Sequence, residues 1–234
     1  MQQSGTVTRL MTAADTSPAE WVVTGLRGFA ESVLSLVPGP FPAYARVFHP
    51  AYKRASGKCK RVRRAEIASA NGKPAHPGMQ LDLLTGSTER PTHRQPGVFD
   101  RGPEDGSLPL DDAVVLARVL AHHTTTRNDC WFAVWEGWGG IRPDIASAPR
   151  FEVPARAYHL LSGPIEAACE SVVQGRMQSA SLWWPNDHAW CVSTEVDFDT
   201  TYVGCDESCC QEILRLPDIE ALVIDPTGRG YEGW

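Results

Sequence analysis

Alternating apolar and polar residues predict a series of short strands along the chain. Residues 44–49 alternate with period two, which places Tyr44, Arg46 and Phe48 on one side of a strand. Aromatic and β-branched runs bounded by turn residues predict further strands. They lie over 131–138, 156–161, 182–184, 190–198 and 220–224, with a short strand at Tyr202, and 182–184 pairs with 190–198 as a hairpin.

Helical spacing of apolar residues predicts the remaining elements. The expected helices cover 62–70, 110–123 and 206–215, with further helical segments over 21–37 and after Pro164. In the 110–123 helix the apolar stripe is expected to contain Leu110, Val114, Ala117 and Leu120. Strands that are joined by hairpins, with helices inserted at irregular intervals, predict an α+β fold, with a mainly antiparallel sheet and flanking helices.

The domain organisation follows from composition. Residues 1–14 are polar and predict a flexible N-terminus, residues 15–234 predict a single α+β domain, and residues 85–107 predict a long surface loop. Neither a secretory leader nor a membrane-spanning run is recognisable, so we expect a cytoplasmic protein with no membrane association.

Tryptophan is concentrated in the predicted sheet. Six of the eight tryptophans lie within residues 131–138 and 183–190. Trp183 and Trp184 are adjacent, so a regular strand must point them to opposite faces. Either the sheet is covered on both sides or one face displays an aromatic patch, and Trp135 and Trp183 are the candidate binding residues in the second case.

Four segments carry a resemblance to known proteins. FPAYARVFHP, CWFAVWEGWG, RAYHLLSGP and LWWPNDHAWCVSTEVDFDTTYVG together resemble an actinobacterial family without an assigned activity, over about two thirds of the chain. The chain departs from that pattern at Leu81, where an aromatic is expected, and at Cys205, where a small residue is expected. In layout alone the chain is similar to SUKH-type immunity and scaffold domains, which implies a fold and no function.

Carboxylates supply the first candidate chemistry. If residues 189–199 form one regular strand, Glu195, Asp197 and Asp199 lie on one face, roughly 7 Å apart. That arrangement suits a divalent cation or an acid/base pair. The alternative is an ordinary strand with one solvated face.

Glu136 is the single residue that we favour most as a functional or paired carboxylate. It lies among tryptophans, where an unpaired charge is costly to bury, so we expect Arg46, Arg156 or His159 as its partner, or else an exposed edge position. Arg46 and His49 on an early strand, with Tyr158 and His159 on a later one, are candidates to line a cleft, although a structural role is the commoner outcome.

Cysteines and basic residues give weaker indications. Cys205, Cys209 and Cys210 suggest zinc, but the usual CxxC pair is missing and we predict no metal site; the cofactor is unknown. A cysteine nucleophile such as Cys130 or Cys191 would need a nearby imidazole. The net charge is −6, yet residues 53–64 carry seven basic side chains. A single basic loop without a nucleic-acid-binding fold argues against nucleic acid as a partner. It favours a solvated loop, or one that pairs with the protein's own acidic surface.

The function favoured by these patterns is a non-enzymatic protein-binding module with an aromatic and acidic sheet surface. The alternative is a hydrolase or metal-assisted enzyme that uses Glu136, Glu195, Asp197 and His159. An enzyme would gather these groups in one concave pocket, whereas a binding module would spread them around an exposed ring.

Overall fold

A computed structural model describes residues 10–29, 31–55, 57–87 and 94–228. The flexible N-terminus predicted over 1–14 lies mostly outside these residues; of the part that is described, Met11–Thr12 forms a short strand, β1. The remaining strands, in chain order, are β2 Ala43–Phe48, β3 Ala51–Ala55, β4 Lys58–Val62, β5 Cys130–Trp135, β6 Arg150–Val153, β7 Arg156–Gly163, β8 Leu182–Pro185, β9 Cys191–Ser193, β10 Thr200–Cys205 and β11 Glu220–Val223.

Nine of these strands form one antiparallel sheet. Its order is β1-β7-β5-β8-β9-β10-β2-β11, and β6 pairs with β7 beside β1. Strands β3 and β4 form a separate two-stranded hairpin. The sheet brings β2, from the first quarter of the chain, between β10 and β11 near its end.

The helices are short. They are α1 Glu20–Gly25, α2 Arg64–Ala70, α3 Leu81–Thr85, α4 Leu110–Leu120, α5 Pro143–Ala146 and α6 Glu207–Leu214, with 3₁₀ turns at Ser17–Ala19, Val33–Ser35 and Ile165–Cys169. The α+β prediction is therefore confirmed. The longest helix described, α4, has 11 residues, and none of the helices in the described ranges could cross a bilayer.

Apolar side chains cover both faces of the sheet. On one face Phe132, Trp183 and Trp190 pack with buried residues of α4 and α6. On the other face Trp184 and Tyr202 pack with the segment that contains α1. A third cluster gathers α2 and α3 around Phe48. The two-sided covering predicted as one alternative from Trp183 and Trp184 is the one observed.

Indole rings order the two main cores. Trp183 lies between Phe132, which stacks on it at 6.4 Å between ring centroids, and Trp190, which meets it edge-on at 5.2 Å. Trp190 is fully buried, and its Nε1 donates to the Leu120 carbonyl at 3.0 Å, which ties the sheet to the end of α4. On the opposite face Trp184 packs edge-on against Trp21 of α1 at 6.0 Å.

Several predicted boundaries were wrong. The strand expected over 189–199 ends at Ser193, and the 21–37 helix is only α1 and one 3₁₀ turn. The predicted stripe of α4 was partly wrong, because Leu110 and Val114 are exposed while Ala113 and Leu116 are buried. The helix is rotated so that Asp112 turns inward to pair with Arg61, an ion pair that apolar spacing does not reveal.

The two segments predicted as loops, 53–64 and 85–107, both contain structure. The basic run over 53–64 largely forms the β3–β4 hairpin. Strand β6 lies where no element was predicted. The predicted 85–107 loop begins within α3, and its residues 88–93 lie outside the described ranges. Its later part is anchored by the buried ring of Phe99 and by backbone pairing of Arg101 with Tyr52.

Gly204 tests the tight packing of the sheet against the N-terminal segment. A Cβ at this position would overlap the Phe41 ring and lie 2.9 Å from Val37. We expect Gly204→Ala to lower the free energy of unfolding by about 1–3 kcal/mol, because overpacking forces the backbone or Phe41 to shift. Gly139→Ala is the control, since a Cβ there meets nothing within 4 Å. Urea denaturation measures both; equal stability of the two variants would refute the close packing.

Candidate functional site

Two strand ends place an aromatic pair at one end of the sheet. Trp135 of β5 lies directly opposite Tyr158 of β7, and both side chains belong to the core on the α1 face. Tyr158 is buried and Trp135 is half-buried. The chain then turns, and Trp138 packs edge-on against Trp135 at 5.3 Å between centroids. Gly137 permits this turn, because any Cβ there would overlap the Trp135 indole.

Arg156 holds two carboxylates beside this aromatic pair. Its Nη2 lies 2.5 Å from Glu195 Oε1 and 3.0 Å from Asp197 Oδ2, and its Nε donates to the same Glu195 oxygen at 3.1 Å. The guanidinium also lies 5.7 Å from the Trp135 ring and 5.3 Å from the Phe29 ring, within the range of a cation–π contact.

Arg150 holds a second pair of carboxylates. Its Nε lies 2.5 Å from Glu136 Oε2, its Nη2 donates to Glu136 Oε1 at 3.2 Å, and its Nη1 lies 2.9 Å from Glu152 Oε1. The partner of Glu136 is thus Arg150, and the prediction of Arg46, Arg156 or His159 was wrong. In the pairing of β6 with β7, Arg150 lies opposite His159 and Phe151 lies opposite Tyr158, so Arg150 and Tyr158 point to opposite faces at this edge of the sheet.

We define the Trp135 patch as Trp135, Glu136, Trp138, Arg150, Glu152, Arg156, Arg176, Glu195 and Asp197. Arg176 belongs to it because its guanidinium lies 5.4 Å from the Trp138 ring. The patch contains four carboxylates and three guanidiniums, and Arg176 donates to Gln178. The side chains of Glu152 and Asp197 are 70% and 67% exposed. The patch therefore has one carboxylate in excess.

Burial and ion pairing act in opposite directions on the carboxylates of the patch. Burial raises the pKa of Glu195, and the hydrogen bonds from Arg156 only partly oppose this effect. For the exposed Glu136, the hydrogen bond from Arg150 lowers the pKa. The ionised form is therefore favoured more strongly at Glu136 than at Glu195.

The predicted face of three carboxylates was wrong. After Ser193 the chain leaves the sheet and turns, with the Phe198 amide donating to the Glu195 carbonyl at 3.0 Å, before β10 begins. Glu195 and Asp197 share Arg156, but Asp199 is buried elsewhere and pairs with Arg64 at 2.8 Å. The apparent alternation of residues 194–199 arises from a turn.

The other predicted site residues do not join the cluster around Arg156. His159 follows Tyr158 on β7 and so points to the opposite face of the sheet, the face of Arg150, and its Nδ1 lies 3.2 Å from the Ala148 carbonyl oxygen. Trp183 is only 2% exposed and is a core residue, so the prediction that it forms a binding surface was wrong. Arg46 and His49 are buried at the far side of the sheet.

His49 belongs to a buried chain of hydrogen bonds. Its Nδ1 lies 2.8 Å from the Glu104 carbonyl oxygen, which can only accept, so Nδ1 carries the proton. The Nε2 atom therefore accepts from the Thr201 hydroxyl at 2.9 Å, and Thr201 in turn lies 2.7 Å from the Thr194 hydroxyl. Burial lowers the pKa of His49 to about 4, so the imidazole is neutral at pH 7.

Part of the basic run pairs with acidic side chains of the protein itself. Lys60 pairs with Glu66 at 3.6 Å, Arg61 pairs with Asp112, and Arg63 donates to the Pro217 carbonyl. These side chains line a groove of about 560 Å³. Its opposite wall carries Asp111, Asp218 and Glu220. Pairing of the basic run with the protein's own acidic surface, one of the alternatives predicted for it, is what the structure contains.

The cysteines are mostly buried thiols. Cys205, Cys209 and Cys210 are at most 2% exposed, and the described ranges contain no group of three or more His, Cys, Asp or Glu side chains placed to hold a metal ion. Burial raises the pKa of Cys130 to about 12 and also raises that of Cys191. Neither thiol is activated as a nucleophile.

No protein family, curated protein or solved structure matches this chain. The actinobacterial resemblance therefore stays a prediction, and the functional argument depends on the geometry of the side chains alone.

Sequence reasoning missed Arg150 and Arg64. Arg150 opens a strand whose alternating pattern, Arg150-Phe-Glu-Val, is short but visible in the sequence. Arg64 is one of seven basic residues in a run, and nothing in that run distinguishes the buried member from its exposed neighbours.

His49 predicts how stability depends on pH. The unfolded chain protonates this imidazole at about 6.5, whereas the folded protein keeps it neutral down to a pKa of about 4. Below pH 6.5 the unfolded state therefore binds one more proton than the folded state. From this residue alone we expect the free energy of unfolding to fall by about 2 kcal/mol between pH 7 and pH 5.

Urea denaturation over that pH range measures the effect. The His49→Gln variant should lose most of this pH-dependent component, because the amide can still hydrogen-bond Glu104 and Thr201 but does not titrate. His122→Gln, which changes a side chain that is 67% exposed, should retain it. An unchanged pH dependence in His49→Gln would show that other groups cause it.

Proposed function

We propose that this chain is a non-enzymatic protein-binding module whose contact surface is the Trp135 patch. The partner we infer is a peptide segment that carries a basic side chain next to an aromatic or aliphatic one. The observation that carries the proposal is the edge-on pair of Trp135 and Trp138, half-buried and bordered by the exposed carboxylates of Glu152 and Asp197. Tryptophan and arginine are the residue types that contribute most to binding at protein interfaces.

The proposal places the binding surface at the end of the sheet. Both sheet faces are covered by the cores, so a flat aromatic sheet face is not what a partner would meet. Arg150 and Arg156 fix the carboxylates before binding, which reduces the side-chain entropy that a partner would otherwise have to remove. The excess of carboxylates over guanidiniums favours a basic partner.

The alternative, a hydrolase or metal-assisted enzyme, receives less support. Glu136 is held by Arg150 on the face to which His159 points, whereas Glu195 and Asp197 are held by Arg156, which points to the other face of β7. A general acid and base need to converge on one reacting atom. Here the candidate groups are held by separate partners.

Selection from a random peptide library displayed on phage tests the proposal. We expect the peptides enriched on the wild-type chain to contain Arg or Lys beside an aromatic or aliphatic residue. Trp135→Ala should weaken the binding of a synthesised copy of an enriched peptide at least ~30-fold, as expected for an interface hot spot of about 2 kcal/mol. Binding should also weaken as salt rises, because the rim charges are exposed. Titration calorimetry measures both effects.

Trp131→Ala is the matched control. Trp131 lies on the same strand and face as Trp135 but at the other end of β5, where its Nε1 donates to Asn186. Peptides that bind Trp135→Ala as well as the wild type, or that are predominantly acidic, would refute the proposed surface. Failure of Trp131→Ala to bind would instead indicate a general loss of folding.

A further inference from the structure

Arg46 has a fully buried guanidinium whose hydrogen-bonding capacity is mostly unused. Its side chain is 0% exposed, and only Nη1 has a partner, the Pro77 carbonyl oxygen at 2.8 Å. The Nε and Nη2 atoms make no hydrogen bond. The guanidinium lies 4.8 Å from the Phe48 ring centroid and 5.7 Å from that of Tyr202. Aromatic faces attract a cation but do not neutralise it.

A second buried guanidinium lies against the same phenyl ring. Arg64 is 1% exposed, and its guanidinium is 5.6 Å from the Phe48 centroid. Its Nη2 lies 2.8 Å from Asp199 Oδ2, while Nη1 has no hydrogen-bond partner. Burial raises the pKa of Asp199, but the surroundings of the carboxylate, foremost the charge of Arg64, together lower it by more, so the ionised carboxylate is favoured and pairs with Arg64.

The guanidinium of Arg46 is the part of this cluster whose donors are left over. Asp199 pairs with Arg64, and Glu220, the second carboxylate close to Arg64, accepts from the backbone amides of Arg64 and Ala65 at the start of α2. His49 is neutral because burial lowers its pKa to about 4. Because Nε and Nη2 of Arg46 are buried without an acceptor, an anion that accepts from them would stabilise this arrangement.

The same region contains acceptors that lack donors. Asp199 Oδ1 and the Thr200 hydroxyl are buried without a hydrogen-bond partner. Thr200 lies opposite Phe48 and Tyr202 lies opposite Arg46 in the pairing of β10 with β2, so Thr200 and Arg46 share one face of the sheet. A suitable ligand must therefore accept from guanidinium groups and donate to a carboxylate. Dihydrogen phosphate does both, whereas sulfate and carboxylate ions have no proton to donate at pH 7.

We propose that Arg46, Arg64, Asp199 and Thr200 form a buried binding site for inorganic phosphate. The guanidinium nitrogens donate hydrogen bonds to the phosphate oxygens, and Asp199 Oδ1 accepts a hydrogen bond from a P–OH group. Free phosphate is the source because Arg46, Arg64 and Asp199 are at most 2% exposed, which leaves no room for a substituent to emerge. We place the access route beside Pro77, an exposed residue whose carbonyl oxygen accepts from Arg46. The site is independent of the Trp135 patch.

Phosphorus-31 NMR and thermal unfolding, both with inorganic phosphate at constant ionic strength, test the site. The wild type should broaden the phosphate resonance, and its Tm should rise by about 3–6 °C at a phosphate concentration about ten times Kd. The same concentration of sulfate should raise it much less. Arg46→Met should abolish both phosphate effects. In phosphate-free buffer this variant should be at least as stable as the wild type, because it removes buried donors that have no acceptor.

Two further variants keep the outcome decisive. Arg118→Met removes an exposed guanidinium from α4, on the other side of the sheet, and should bind phosphate like the wild type. If Arg46→Met does not fold, Thr200→Val, which keeps all charges, should weaken phosphate binding several-fold. A wild type without broadening or Tm shift would overturn the proposal, and so would an equal response to sulfate or a phosphate effect that survives in Arg46→Met. Peptide binding at the Trp135 patch should be unaffected by Arg46→Met.

Discussion

The burial of adjacent indoles on opposite faces of one strand is the constraint on which the fold depends. Trp183 and Trp184 cannot both be buried unless each side of β8 has its own hydrophobic cover. The first cover comes from α4 and α6, and the second comes from the N-terminal segment around α1. Large aromatic side chains contribute most to core stability. The short helices are therefore held by the sheet far more than by their own propensity.

Covering both faces has a further effect on where polar groups can lie. Charged side chains either reach the ends of the strands, as in the Trp135 patch, or become buried in clusters. Arg46, Arg64 and Asp199 belong to the second class, beside Phe48, around which α2 and α3 pack. The sheet thus separates an exposed set of ion pairs from a buried one, and each set supports a different proposal.

The sequence predicts the parts of the fold that depend on local periodicity. The β2 strand was predicted with the correct facing because Tyr44, Arg46 and Phe48 alternate with small or β-branched residues, and the hairpin from β8 to β9 was predicted from its turn. Residues 194–199 show why the rest failed. Their carboxylates also alternate, but Arg156 draws Glu195 and Asp197 to one place while Arg64 draws Asp199 to another. Partners that are distant in the sequence leave no periodic signal, and the candidate site is built from such pairs.

The position of β2 in the sheet determines the order in which the chain can fold. This strand is synthesised early, yet both of its neighbours, β10 and β11, belong to the last part of the chain, and β1 likewise waits for β7. During synthesis the alternating strand over Ala43–Phe48 therefore has no native partner until β10 and β11 have been made. Pairings of this kind make folding slow and leave strand edges exposed in the meantime. The nascent chain is consequently most exposed to aggregation after β2 has been made and before β10 and β11 can cover its edges.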